Sequence, residues 1–123
     1  MKILLIDDDQ EFTSLLKMEL EDMGHPTDIA NDGITGEKMA LINSYDLIIL
    51  DLMLPGKNGH AICNSIRKTH LEIPVLMISS LDSKEEKAEG FSKGINDYMT
   101  KPFTFEDLYN KIIVLDNEYQ DHS

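Results

Sequence analysis

The chain has 123 residues, 41% of them hydrophobic and 28% charged, which suits one compact domain with a real core and leaves no comfortable room for two. A formal net charge of -12 argues against nucleic-acid binding by this chain itself, which needs clustered Lys and Arg, and against an anionic membrane surface. No basic-plus-apolar leader and no membrane-spanning apolar stretch occurs, so the sequence reads as soluble and cytoplasmic.

Short apolar runs alternate with amphipathic stretches five times along the chain. The first strand, Lys2–Ile6, ends in Asp7-Asp8-Asp9. A helix over Gln10–Met23 follows, with Asp9 as its N-cap and Gly24 as its stop. In it Phe12, Leu15, Leu16, Leu20 and Met23 recur at spacings of three and four and line one face. The second strand, Pro26–Ala30, is polar and carries a proline, which suits an edge position. After a helix over Gly33–Ile42, the aliphatic run Leu47–Leu50 reads as a buried strand that closes on Asp51, with Pro55-Gly56 as the turn beyond it. Cys63 sits between Ile62 and Ile66 in the helix Gly59–Lys68. As the sole cysteine it makes no intramolecular disulfide, and it reads as a buried structural thiol. The strand Pro74–Ile78 leads to Ser79 and a helix over Ser83–Lys93. Gly90 inside that helix costs about 1 kcal/mol relative to alanine and either permits close packing or helps the helix rearrange. Strand Asp97–Met99 precedes Lys101-Pro102 and a last helix over Thr104–Leu115. From Asp116 onward the chain is polar, acidic and expected to fray, giving a domain over 1–117 and a tail over 118–123. Strict βα alternation implies an α/β fold: a doubly wound, five-stranded parallel sheet with right-handed crossovers.

In such a sheet the loops after strands one, three, four and five gather at one edge. They supply Asp7, Asp8, Asp51, Ser79 and Lys101. Crowded carboxylates call for a cation, and a divalent metal with oxygen ligands is the usual answer. A carboxylate can also attack phosphorus to form an acyl phosphate. Phosphoryl transfer needs little beyond positioning and charge neutralisation, so a metal, a lysine and a hydroxyl suffice. Taken singly, each residue has a plainer reading. An Asp triplet is usually a solvated turn or cap, Ser79 a turn hydroxyl, Lys101 a surface lysine, and Tyr98 a strand residue packed on a helix. Position directly after buried strands favours the chemical reading, with Asp9 kept as a cap. His25, His60, His70 and His122 are scattered without ligand spacing, and the methionines read as core filling.

Four motifs carry a resemblance: Ile6-Asp7-Asp8-Asp9, Asp51 through Gly56, Pro74 through Ser79, and Gly94 through Phe103. In order and context they resemble the receiver domain of two-component response regulators, from Lys2 to about Leu115, and most of all the receivers of winged-helix transcription factors. The resemblance implies a flavodoxin-like (βα)5 fold with strand order 2-1-3-4-5. It implies Asp51 as phosphoacceptor and a Mg²⁺ held by Asp8 directly, Asp7 mostly through water, Asp51, and the Met53 carbonyl. It implies that Ser79 hydrogen-bonds a phosphoryl oxygen, that Lys101 pairs with the acyl phosphate, and that Tyr98 is an aromatic switch moving with Ser79. The peptide bond before Pro102 is commonly cis in this family. The implied partner is a sensor histidine kinase, and the implied catalysis extends only to the domain's own phosphorylation and dephosphorylation. The implied setting is the N-terminal module of a DNA-binding transcriptional regulator, the alternative being a stand-alone receiver acting by protein contact. A homodimer formed on phosphorylation would use the fourth helix, fifth strand and fifth helix, with Lys87, Asp97, Asp107 and Lys111 around Ala88, Phe91 and Leu108. A merely solvated charged face is the alternative there.

Three other readings fit less well. A haloacid dehalogenase-like phosphatase places a second Asp two residues after the nucleophile, where this chain has Met53. A flavin carrier of the same topology cradles phosphate in the loop after strand one, where Asp7-Asp8-Asp9 would repel it. A receiver-like scaffold without phosphorylation has no need of Asp7, Asp8, Asp51, Ser79 and Lys101 together.

Overall fold

The computed structural model describes residues 1–69 and 72–122, with side chains through Tyr119. His70 therefore lies outside the described residues. Strands β1 (Ile3–Ile6), β2 (Thr27–Ala30), β3 (Leu47–Asp51), β4 (Val75–Ser79) and β5 (Asp97–Thr100) alternate with helices α1 (Gln10–Asp22), α2 (Gly33–Ile42), α3 (Gly59–Lys68), α4 (Lys84–Ser92) and α5 (Phe105–His122). All pairings are parallel, in the order β2-β1-β3-β4-β5. The expected topology is therefore present, with β2 at an edge.

The three central strands are buried along their whole length, because helices cover both faces of a parallel sheet. Alternate residues feed two cores. Leu4, Ile6, Ile48, Leu50, Val75 and Met77 pack with Ala40 of α2 and Ile62, Cys63 and Ile66 of α3. Ile3, Leu5, Leu47, Ile49, Leu76 and Ile78 pack with Leu16 and Leu20 of α1 and Leu108, Ile112 and Leu115 of α5. Cys63 is fully buried, as expected, and its thiol donates to the Lys93 carbonyl at 3.3 Å.

Asp9 caps α1 through a bond from the Phe12 amide, and Gly24 ends the turn beyond it at φ 92°, a conformation that favours glycine. The buried stripe of α1 differs from the expected one. Thr13, Leu16 and Leu20 face the core, whereas Leu15 and Met23 are exposed and Phe12 is half-buried. The seam is narrower than the apolar spacing suggested, because the hydroxyl of Thr13 fits inside it by bonding the Gln10 carbonyl at 3.2 Å. The other departure is at the C-terminus. Residues 116–122 continue α5, so position 117 falls inside a helix. No Gly or Pro interrupts the stretch, and neither polarity nor acidity alone stops a helix.

Gly90 is the sole fully buried residue of α4. A Cβ there would lie 2.6 Å from Ile95 Cδ1 and 3.6 Å from Met77 Sδ, so the glycine lets α4 pack closely. At Gly33 a Cβ would lie 1.9 Å from the Lys57 carbonyl oxygen, which seats the loop after β3 on the start of α2. Backbone cannot yield as a side chain end can. Gly33→Ala should therefore destabilise the fold by roughly 1–3 kcal/mol, read as a lower urea midpoint. An unchanged midpoint would show that this loop is not held there.

Candidate functional site

The C-terminal ends of β1, β3, β4 and β5 bring Asp7, Asp51, Ser79 and Lys101 to one edge of the sheet. Asp51 is the last residue of β3 and is 6% exposed, while Asp7, just past β1, is fully buried. Asp8 beside it is exposed. The carboxylates of Asp7, Asp8 and Asp51 each offer an oxygen within 4.8 Å of the others.

Backbone geometry fixes the two buried carboxylates. Asp7 Oδ1 accepts from the Asp9 amide at 2.9 Å, and Asp51 Oδ1 accepts from the Met53 amide at 3.1 Å. Their other oxygens share one cation. Lys101 Nζ lies 2.8 Å from Asp7 Oδ2 and 3.6 Å from Asp51 Oδ2. The same ammonium stands 4.8 Å from the centre of the Phe12 ring, a cation–π contact that holds it on the site side of α1. Lys101 reaches this edge because its amide donates to the Ser79 carbonyl at 2.8 Å. The Lys101–Pro102 peptide bond is cis, as expected.

Burial pushes the Asp51 carboxyl up to about 6, with repulsion from Asp7 adding to it and the Lys101 charge and the Met53 amide working against it. The expected mutual repulsion is present but ranks second to loss of solvent. Burial also works against the charge on Lys101. The hydrogen bond to Asp7 and attraction from Asp51 outweigh it, and the ammonium is held above its ordinary range.

Ser79 and Tyr98 meet at one backbone unit. Ser79, nearly fully buried, accepts from the Leu81 amide at 3.0 Å through its Oγ, and the Tyr98 hydroxyl donates to the Leu81 carbonyl at 2.6 Å. The Tyr98 ring is buried against the core, so its packing role and its link to Ser79 coexist. Leu81 enters this arrangement through its main chain, a role its side chain does not reveal.

The histidines are not all without ligand-like neighbours. His60, at the start of α3, faces Glu86 and Glu89 of α4 at 3.4 and 3.7 Å, a grouping hidden in the sequence by the separation of 26 positions from His60 to Glu86. His25 is structural: its ring nitrogens meet the N-terminal amine at 3.0 Å and the Tyr109 hydroxyl at 2.7 Å. On the surface of α4, β5 and α5, Lys111 pairs with Asp97 within the chain at 2.9 Å. Leu108 is fully buried and is no surface contact, because Leu108, Ile112 and Leu115 form the core stripe of α5.

The raised Asp51 pKa fixes a pH dependence. The native state holds that proton more tightly than the unfolded chain, where the ordinary value is 3.8. Asp51 therefore costs nothing below about pH 4 and progressively destabilises the metal-free fold as pH rises to about 6. Asp51→Asn should be more stable than the parent by on the order of 1–3 kcal/mol near pH 7.5 in chelator. The advantage should vanish towards pH 4. Denaturant unfolding across that range checks it, and a pH-independent difference would contradict the electrostatic origin.

Residues 3–113 match the response regulator receiver domain family. The chain is 40% identical over 116 residues to the DNA-binding dual master transcriptional regulator RpaA of Synechocystis sp., covering 93% of this chain and 48% of that protein. It is 40% identical to the response regulator ArlR of Staphylococcus saprophyticus, covering 90% of this chain and 50% of that one. With the transcriptional regulatory protein CusR of Escherichia coli the identity is 35%, covering 94% and 51%. The chain thus spans about half the length of these curated relatives. Among solved structures, the receiver domain of the Francisella response regulator 1452 superposes with a TM-score of 0.90 at 35% identity, covering 96% of this chain and 98% of that one. A CheY-like receiver domain protein from Methanospirillum hungatei superposes at 0.94 with 24% identity, covering 99% and 98%, a likeness of fold. Sequence, topology and the acidic sheet edge agree, and the chain belongs to the response regulator receiver domain family.

Proposed function

We propose that this receiver accepts a phosphoryl group from a phosphohistidine of a sensor kinase onto the carboxylate of Asp51, in a Mg²⁺-dependent reaction. The observation that carries this reading is a charge imbalance at the sheet edge. Asp7 and Asp51 are buried together and share the single ammonium of Lys101, with Asp8 close by. Such a cluster is short of positive charge, and oxygen ligands of this kind suit a hard divalent cation. Asp7, Asp8, Asp51 and the carbonyl of Met53 would hold it. When bound, Mg²⁺ would neutralise the carboxylates and the phosphoryl oxygens.

The protein's own groups do the rest. With a pKa about 6, Asp51 is mostly ionised at neutral pH, so a lone pair is available to form the new O–P bond while the N–P bond to the donor imidazole breaks. Lys101, already poised between two carboxylates, can follow the negative charge onto the phosphoryl oxygens. The Ser79 hydroxyl uses its oxygen to accept from Leu81 and so keeps its proton to donate to a phosphoryl oxygen. Any shift of Ser79 towards that oxygen would pull on the Leu81 amide, and the Tyr98 hydroxyl holds the carbonyl of the same residue. This is the route by which the site would alter the face formed by α4, β5 and α5.

The curated relatives named as transcriptional regulators favour a role as the receiver module of such a regulator, with phosphorylation promoting a homodimer through that face. A receiver acting by protein contact alone is the alternative. Incubation with acetyl phosphate and Mg²⁺ should add the mass of one phosphoryl group, lost in Asp51→Asn and with chelator. Sedimentation of the same labelled sample should shift from monomer towards dimer, and Lys111→Glu, which also breaks the pair with Asp97, should block that shift. Label persisting in Asp51→Asn would refute the acceptor. A labelled protein that stays monomeric would refute the dimer and leave the protein-contact reading.

A further inference from the structure

His60, Glu86 and Glu89 converge from two helices at a place the phosphoryl-transfer reading does not use. His60 lies in the first turn of α3, and the glutamates stand three residues apart on α4, so both reach the same side of that helix. The His60 residue is only 9% exposed, and its Nδ1 is buried without a hydrogen-bond partner. Its Nε2 lies 3.4 Å from Glu86 Oε2 and 3.7 Å from Glu89 Oε2. The first is a long hydrogen bond and the second lies beyond hydrogen-bond reach. They fit the edges of a tetrahedron of N and O ligands around a zinc-class ion, about 3.3 Å for bonds of about 2.0–2.1 Å. The charges point the same way. Among the described residues His60 is the one basic partner of either glutamate, so no lysine or arginine occupies the position an ion would take between them.

We propose that His60, Glu86 and Glu89 form a second divalent-metal site, separate from the aspartate cluster, that takes a zinc-class ion and fastens α4 to α3. One imidazole nitrogen with two carboxylate oxygens suits zinc or its neighbours rather than Mg²⁺, which prefers oxygen ligands alone. The trio opens onto a cleft of about 660 Å³ whose other wall carries Asp8 and Met53, so the two metal sites would be distinct ligand sets facing one cleft. That cleft provides an entry path and room for water as a fourth ligand. The position has a mechanical consequence. Helix α4 has Gly90 as its sole fully buried residue, so it has little apolar anchorage, and an ion shared with α3 would pin its first two turns.

Cobalt(II) is the probe, because tetrahedral N/O coordination gives it a far stronger visible absorption than octahedral oxygen coordination does. Titrated into the whole chain in excess Mg²⁺, Co²⁺ should give a saturable band at one equivalent. Glu89→Gln and His60→Gln should each weaken its binding at least tenfold, and Asp8→Asn should leave it unchanged. Glu89 is 53% exposed at its side chain, so Glu89→Gln keeps the test decisive even if His60→Gln fails to fold. Zn²⁺ should slow amide exchange in α4 of the parent and not in Glu89→Gln. No saturable band, a band that survives Glu89→Gln, or one lost in Asp8→Asn would overturn the proposal.

Discussion

The ammonium of Lys101 is placed between two buried carboxylates that belong to different strands, at 2.8 Å from Asp7 and 3.6 Å from Asp51. Much of the site follows from that contact. Two carboxylates removed from water repel each other and lose hydration, and one cation with a long stem offsets part of the cost. The remainder stays visible in Asp51, whose proton is held to about pH 6. A fold that retains such an imbalance at one edge gives up stability there, and it gains a place where a cation is favoured.

The sheet supplies the rigidity this arrangement needs. β1 and β3 are neighbours in register, with Ile6 opposite Leu50, which brings Asp7 and Asp51 together by main-chain hydrogen bonding alone. Lys101 is tied in the same way, its amide bonded to the Ser79 carbonyl. The link from Ser79 to Tyr98 runs through a loop instead. Ser79 and Tyr98 grip opposite ends of the Leu81 residue at 3.0 and 2.6 Å, in a loop next to α4. A small displacement at the buried edge can therefore reach an aromatic ring without any rearrangement of the strands.

The central strands and the aspartates were legible because both faces of a parallel sheet are buried there, so β1 and β3 are unbroken aliphatic runs and the first carboxylate marks the end of each. Ile3–Ile6 before Asp7 and Leu47–Leu50 before Asp51 show this directly. Helix faces were harder. Threonine hid the core seam of α1 at Thr13, and apolar but exposed Leu15 and Met23 mimicked it. Leu108 was misplaced on the surface, although its spacing to Ile112 and Leu115 marks a buried stripe. The end of α5 was illegible because acidic, polar residues are compatible with both a helix and a frayed tail. The His60, Glu86 and Glu89 trio depends on how α3 and α4 pack, which local sequence does not encode.

Asp51 is a buried, proton-retaining carboxylate, and a bound divalent cation would balance its charge. Carbon-13 NMR titration of the Asp51 side-chain carboxyl tests it most directly, with and without Mg²⁺. The midpoint should lie at about 6 in chelator and at least about one unit lower in saturating Mg²⁺, because the ion favours the charged form. A midpoint at the ordinary 3.8, unmoved by Mg²⁺, would contradict it.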